Sequence, residues 1–355
     1  MRAAVLTSPR TITIQDVPTP RAGAGEVIVR VMANALCGSD VHAFQGTHAR
    51  IGIGGWFGHE LAGVVAEVGP GGARVVVGQR VAVDSVLRCH ECVECLAGHS
   101  NRCLHYLTTG SRGDGGLAEQ IRLPTGNIHP IPDTMSFDQA ALVQPLAIAH
   151  HAVSRNARVK AGDVVSVVGA GPVGLLVMVL CNRLGATVVV SDPRSARADM
   201  ARSLGAAATA GAGPDEVKAA LDGVSSSPGA DHVFDCVGGT GTAALETCLN
   251  VARRGGIVTI LGTYAGDVIA LPNRDFTNKE IYVRSSRSYT AESYAEALAM
   301  ASSGEIEIPD LVSHVFPLEA TQDALTRLDA GDPAIVKAVI RPSETLDQVE
   351  HGAGD

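Results

Sequence analysis

Val164-Val165-Ser166-Val167-Val168-Gly169-Ala170-Gly171-Pro172-Val173-Gly174 is the stretch on which the fold turns. A near-continuous apolar run suits a parallel strand covered on both faces. The G-x-G-x-x-G that follows at once reads as a turn opening a helix. The first glycine allows the tight turn, the second lets backbone N–H groups approach a pyrophosphate, and the third lets helix pack against strand. The helix N-terminus favours the negative charge. Gly169, Gly171, Pro172, Val173 and Gly174 are therefore candidate dinucleotide contacts. Asp192 closes the next apolar run, Thr187 to Ser191, where a carboxylate can accept hydrogen bonds from ribose hydroxyls and repel a 2′-phosphate. That favours NAD over NADP, although Arg194 and Arg197 stand close enough in sequence to accept that phosphate.

Working outward, His232 to Cys236 and Ile257 to Leu261 are further apolar runs, with helical stretches at Ala196 to Leu204 and Thr242 to Ala252. This β-α alternation predicts an α/β, doubly wound parallel sheet. Val237 and Leu261, at the ends of those runs, are further candidate cofactor contacts. The first third differs: it is rich in Val, Gly and Pro, with alternating runs such as Glu26 to Met32 and Gly63 to Val68. A helix at Ala291 to Ser302 leads to short strands at His314 to Phe316 and Ala334 to Ile340. A β-rich domain interrupted by a nucleotide-binding domain is expected, with the polar tail 342–355 disordered.

The bulk numbers agree with a folded α/β protein of two domains. The chain has 355 residues, 46% of them hydrophobic and 18% charged, with a formal net charge of -9. No basic block stands out, so nucleic acid is not an expected partner. Val164 to Asn182 carries no charge, but its glycines and proline follow the nucleotide pattern rather than a membrane span. The N-terminus lacks the compact apolar stretch of a signal peptide. A cytoplasmic location is expected, with the cysteines as thiols or metal ligands.

Cys89-x2-Cys92-x2-Cys95-x7-Cys103 gathers four thiols on one loop. Four thiolates close a tetrahedral zinc completely, so the site would hold structure and leave no position for substrate. A ferredoxin cluster shares the first three spacings, but its fourth cysteine follows after three residues and precedes a proline. Cys37-Gly38-Ser39-Asp40-Val41-His42 and Gly58-His59-Glu60 form a more dispersed set. Cys37, His59 and Glu60 offer thiolate, imidazole and carboxylate, a donor set for a zinc with one open position and Lewis-acid character.

These signatures, in this order and spacing, resemble those of the zinc-containing medium-chain dehydrogenases, closest to the polyol (sorbitol) and threonine dehydrogenase branch. The resemblance runs from the N-terminal strands to Lys337-Ala338-Val339-Ile340-Arg341-Pro342. It implies a GroES-like catalytic domain at 1–153 plus 288–341, with a Rossmann domain inserted at 154–287. It implies an oxidoreductase using one catalytic and one structural zinc, together with NAD. The reaction would interconvert a secondary alcohol (polyol, cyclitol or amino alcohol) and a ketone by hydride transfer. Cys37, His59 and Glu60 become the catalytic zinc ligands. Ser39 and His42 become the inner and outer ends of a proton relay, and Asp40 the carboxylate orienting the ligand histidine. Arg197 falls where the family has a basic residue near the ribose. A homodimer or homotetramer is also implied.

The chain departs from the branch at two places. Gln144-Pro145-Leu146 stands for Glu-Pro-Leu, and Arg287-Ser288-Tyr289 for Phe-Arg-Tyr. Gln144 is therefore read as a contact to substrate or to a water on the metal. Trp56, Phe44, Tyr106, His105 and Arg287 are candidate pocket residues. Two other readings compete: a C=C or C=N reductase of the same fold, and a non-catalytic NAD-binding protein. Ser39 and His42 argue against the first, and an intact open ligand set argues against the second.

Overall fold

The structure is a computed structural model. It describes residues 1–355 apart from 73, 112–113, 240, 265–267, 269–272, 307, 309–310 and 344–355, and of 274–275 the backbone alone. Most of the tail expected to be disordered thus lies outside the described residues. Two compact units divide the chain: Met1–Gln144 with Leu298–Ser303 and Asp310–Asp355, and Pro145–Ala297 with Gly304–Pro309. The sequence placed these divisions at 153/154 and 287/288. The shift has a local cause. His150 Nε2 lies 2.8 Å from Glu296 Oε2, and His151 Nδ1 lies 3.0 Å from Ser293 Oγ, which ties both stretches into the second unit.

In the first unit, the described residues form a seven-stranded sheet. Its order is Val312–Pro317, Lys337–Arg341, Glu26–Ala35, Glu60–Val68, Arg80–Val83 and Ile128–Pro130, while Gln120–Pro124 also pairs with Glu26–Ala35. Period-two alternation puts Val27, Val29 and Val31 on one face with Val65, Val81 and Ile121. A second cluster holds Leu6, Phe44, Phe57, Leu325 and Ile340. Phe44 is 1% exposed there, so it belongs to the core rather than to a substrate pocket. Full burial of such a ring stabilises by roughly 2–3 kcal/mol. The strand expected from Gly63 begins at Glu60, because a register shift between Val31 and Ala33 carries the pairing on to Ala35 opposite Glu60.

The second unit holds a six-stranded, fully parallel sheet. Its order is Ala208–Ala210, Thr187–Ser191, Val164–Val168, Ala230–Asp235, Ala252–Ile260 and Tyr282–Ser285. Val164–Val168 is buried throughout and pairs on both sides, so the strand order reverses at its C-terminal end. Crevices at such reversals are where open α/β sheets bind ligands. Among the described residues, no helix is long and apolar enough to cross a membrane.

Candidate active site

Pairing of Glu26–Ala35 with Glu60–Val68 sets Ala35 opposite Glu60, two residues before Cys37. Cys37 caps the short helix Gly38–Phe44. Gly58 has φ +102, and a Cβ there would lie 2.6 Å from Asn34 Oδ1, so only glycine delivers His59 to this corner. The donor atoms of Cys37, His59 and Glu60 lie within 4.8 Å of one another, close enough to share one ion.

A single buried carboxylate organises two of them. Asp40 Oδ2 accepts the backbone N–H of Cys37 at 2.8 Å, and Oδ1 lies 3.5 Å from His59 Nδ1. With Nδ1 turned to Asp40, Nε2 is left to face a metal. Burial works against a charged His59, but the Asp40 carboxylate and the Cys37 thiol outweigh it and raise its pKa well above the usual value. Ser39 is half-buried and His42 exposed, three residues apart on one helix. His48 was not singled out by sequence. It is half-buried, its Nδ1 accepts the N–H groups of Arg50 and Ile51, and burial lowers its pKa against the charge of Asp40.

Lys337 was also unforeseen as a site residue. Its Nζ lies 2.5 Å from Glu60 Oε2, with both side chains almost wholly buried. It arrives on Lys337–Arg341, which docks beside Glu26–Ala35 through the bond from Leu36 N–H to Ala338 O. Burial opposes its charge, yet Glu60 and then Cys37 hold its pKa up. Gln144 is 5% exposed, and its Oε1 has no hydrogen-bond partner among the described residues. An orphaned buried acceptor costs about 1–3 kcal/mol, so a donor brought to this oxygen would be favoured. Trp56 is half-buried against Ala3, Val5 and Ala118. Tyr106 is half-buried beneath the Arg50 guanidinium, while His105 and Arg287 are exposed.

The four thiols of the cysteine loop also lie within 4.8 Å of one another. Cys89 and Cys103 are 3.5 Å apart and Cys89 and Cys95 4.0 Å, against about 3.8 Å for the edge of a tetrahedral zinc–thiolate site. Backbone N–H groups of Leu104 and Cys95 pull the Cys92 thiol down to about 6. Burial and the neighbouring thiols push Cys95 up to about 12. Four thiolates at this spacing need a cation among them, and the donor set fits zinc. Beneath the loop, Arg88 and Asp84 form a buried ion pair at 2.5 Å. Asn127 Nδ2 donates to the carbonyls of Asp84 and Val86.

In the second unit the glycine turn has the shape a dinucleotide needs. Gly169 has φ +100, and a Cβ on Gly174 would stand 1.9 Å from Gly169 O, so the helix Pro172–Arg183 can close on the strand only with glycine there. A Cβ on Gly171 would meet nothing nearer than Arg197 Nη1 at 3.5 Å, which leaves that backbone open to a phosphate. Asp192 Oδ2 accepts the N–H of Ala170, fastening the next strand's end to the turn. Val237 is exposed beside Gly169, and the Leu261 N–H donates to Asp235 O.

Comparison with known proteins agrees with this fold. The alcohol dehydrogenase GroES-like domain matches residues 23–133, and the zinc-binding dehydrogenase domain matches 172–303. A sorbitol dehydrogenase of Bacillus subtilis is 31% identical, over 97% of this chain and 98% of its own. A zinc-binding dehydrogenase of Sinorhizobium meliloti 1021, solved bound to NADP, superposes with TM-score 0.85 at 27% identity, over 96% of this chain and 99% of its own. An alcohol dehydrogenase of Escherichia coli CFT073, solved with NADH, gives 0.86 at 25%, over 96% and 99%. The chain belongs to the zinc-containing medium-chain dehydrogenases. Within them it stands near the polyol branch, and it is a zinc-dependent, NAD(P)-using alcohol dehydrogenase that interconverts small-molecule alcohols and ketones.

Proposed function

We propose that this enzyme oxidises a secondary alcohol on a polar, hydroxylated or amino-bearing substrate (a polyol, cyclitol or amino alcohol), with NAD as its hydride partner. The convergence of Cys37, His59 and Glu60 around the Asp40 carboxylate carries the reading. Those three side chains would hold the catalytic zinc, and Cys89, Cys92, Cys95 and Cys103 the structural one. When bound, the catalytic zinc supplies charge stabilisation to an alcohol oxygen, and the nicotinamide accepts the hydride.

The chain's own residues do the rest. Asp40 fixes the His59 tautomer, and Ser39 relays the hydroxyl proton, accepting it as it gives up its own. His42, at the exposed end of the same helix, passes a proton to solvent. Gln144 offers its unpaired Oε1 as an acceptor for a substrate hydroxyl or ammonium, which supports a polar substrate. Gly169 to Gly174 would cradle the pyrophosphate, with Val237 and Leu261 flanking the cofactor and Arg197 beside the ribose. Asp192 would accept the ribose hydroxyls, the basis for choosing NAD.

The test is NADH absorbance with purified, zinc-loaded protein against a panel of polyols, cyclitols, amino alcohols and simple secondary alcohols. Steady turnover of at least one polar class, with simple alcohols poorer, is expected. Turnover confined to simple alcohols, or none with any member, would refute the proposal.

A further inference from the structure

The carboxylate that should read the ribose is already occupied. Asp192 Oδ1 accepts the backbone N–H of Arg194 at 3.0 Å and its Nε–H at 2.8 Å. Oδ2 accepts the N–H of Ala170 at 3.0 Å and Arg194 Nη2 at 3.0 Å. A carboxylate has about four acceptor positions, so all are filled. The Asp192 side chain is 1% exposed, while that of Arg194 is 41% exposed and lies over it. Burial opposes ionisation of Asp192, but the Arg194 bonds outweigh that and lower its pKa.

This arrangement treats the two cofactors unequally. A ribose diol asks the carboxylate for two acceptor positions. The two held by backbone N–H groups are fixed by the turn, so the diol must displace the guanidinium. A 2′-phosphate asks for donors instead. The guanidinium has five N–H groups and spends two on Asp192, which leaves three for a phosphate without opening the pair. Arg197 adds a second cation. Its Nη1 lies beside Gly171, and burial followed by repulsion from Arg194 lowers its pKa, so a phosphate between the two arginines relieves that repulsion.

We propose that Arg194 is a specificity-determining residue which masks Asp192 and makes the site accept NADP as well as NAD. This rests on the reading of Gly169 to Gly174 as the dinucleotide turn, and it widens the choice of NAD made above to both cofactors. The bidentate pair converts a carboxylate that would repel the phosphate into the support of the arginine that binds it. NAD binding opens the pair; NADP binding keeps it.

The experiment is titration of the zinc-loaded full chain with NADH and with NADPH, followed by nicotinamide fluorescence, for the unmodified protein, Arg194→Ala and Arg194→Gln. The unmodified protein should bind both, with Kd values within roughly thirtyfold of each other. Arg194→Ala should tighten NADH a few-fold and weaken NADPH at least about tenfold, because a charge-assisted bidentate contact is lost and the diol's acceptors are freed. Arg194→Gln, closer in size, should move the ratio the same way, and matching thermal melts show that the fold is intact. An unchanged ratio, an equal loss for both cofactors, or an unmodified protein that ignores NADPH would overturn the mask. Binding of neither cofactor would instead overturn the dinucleotide reading on which it rests.

Discussion

The loop from Cys89 to Cys103 carries all its ligands on one short stretch, whereas Cys37, His59 and Glu60 meet only because two strands pair. In the loop the thiols are steadied by nearby backbone, as where the Cys89 and Cys92 N–H groups point at the sulfurs of Cys103 and Cys89. At the other site the supports are local and distant together, and one arrives only near the end of the chain. Asp40 sets the histidine, Gly58 sets its approach, and Lys337 sets the carboxylate. The first site therefore depends on its ligands and their local backbone, and the second also on residues that never touch the metal.

The largest expected effect separates the two sites by what their metals do. Cys103→Ser should lose one zinc per chain and destabilise the fold by on the order of 4 kcal/mol or more, because a closed thiolate site contributes directly to folding. At this chain size that lowers Tm by roughly 5 °C. Cys37→Ser should also lose one zinc, with turnover abolished and Tm moved far less. Metal analysis beside thermal melts decides it, and equal falls in Tm would erase the distinction.

A second test addresses the buried pair. Glu60→Ala leaves the Lys337 ammonium buried without its carboxylate, so a loss of about 3–5 kcal/mol is expected from denaturant unfolding. Adding Lys337→Met should recover most of that stability while leaving the catalytic zinc absent. Additive losses in the double variant would mean that the two charges do not depend on each other.

The smallest effects on the metal should come from its surroundings. Asp40→Asn keeps the shape but weakens the hold on His59, and zinc affinity measured by chelator competition should fall about 10–100-fold. Gln144→Ala should leave zinc affinity unchanged and alter only the relative kcat/KM of polar substrates. Were Gln144→Ala to empty the site, the glutamine would be a ligand.

How far the sequence reads the molecule follows the same divide. The glycine turn and the cysteine loop are local devices, so spacing alone exposes them. The apolar runs give the parallel strands, because burial on both faces leaves little freedom of composition. What spacing misses is set by partners across the fold. Phe44 reads as a pocket aromatic until its neighbours Leu6, Phe57 and Leu325 are known. Lys337 reads as an ordinary strand residue until the sheet lays it beside Glu60. Arg194 reads as near enough to accept a phosphate, but spacing does not show that its side chain closes over Asp192. Each of these roles depends on a contact that composition and periodicity do not carry.

The Lys337–Glu60 pair also puts the protein on a clock. Ribosomes deliver the lysine about 280 residues after the glutamate, a wait of roughly 15–55 s at 5–20 residues per second. For that whole interval the carboxylate lacks its ammonium partner, because Lys337–Arg341 is the last strand in the sequence among the described residues. A nascent chain that buried Glu60 early would strand a lone charge, at a cost of several kcal/mol. The pocket around Cys37 can therefore seal only when the final strand emerges. The ion pair that closes this corner is therefore among the last contacts the growing chain can make.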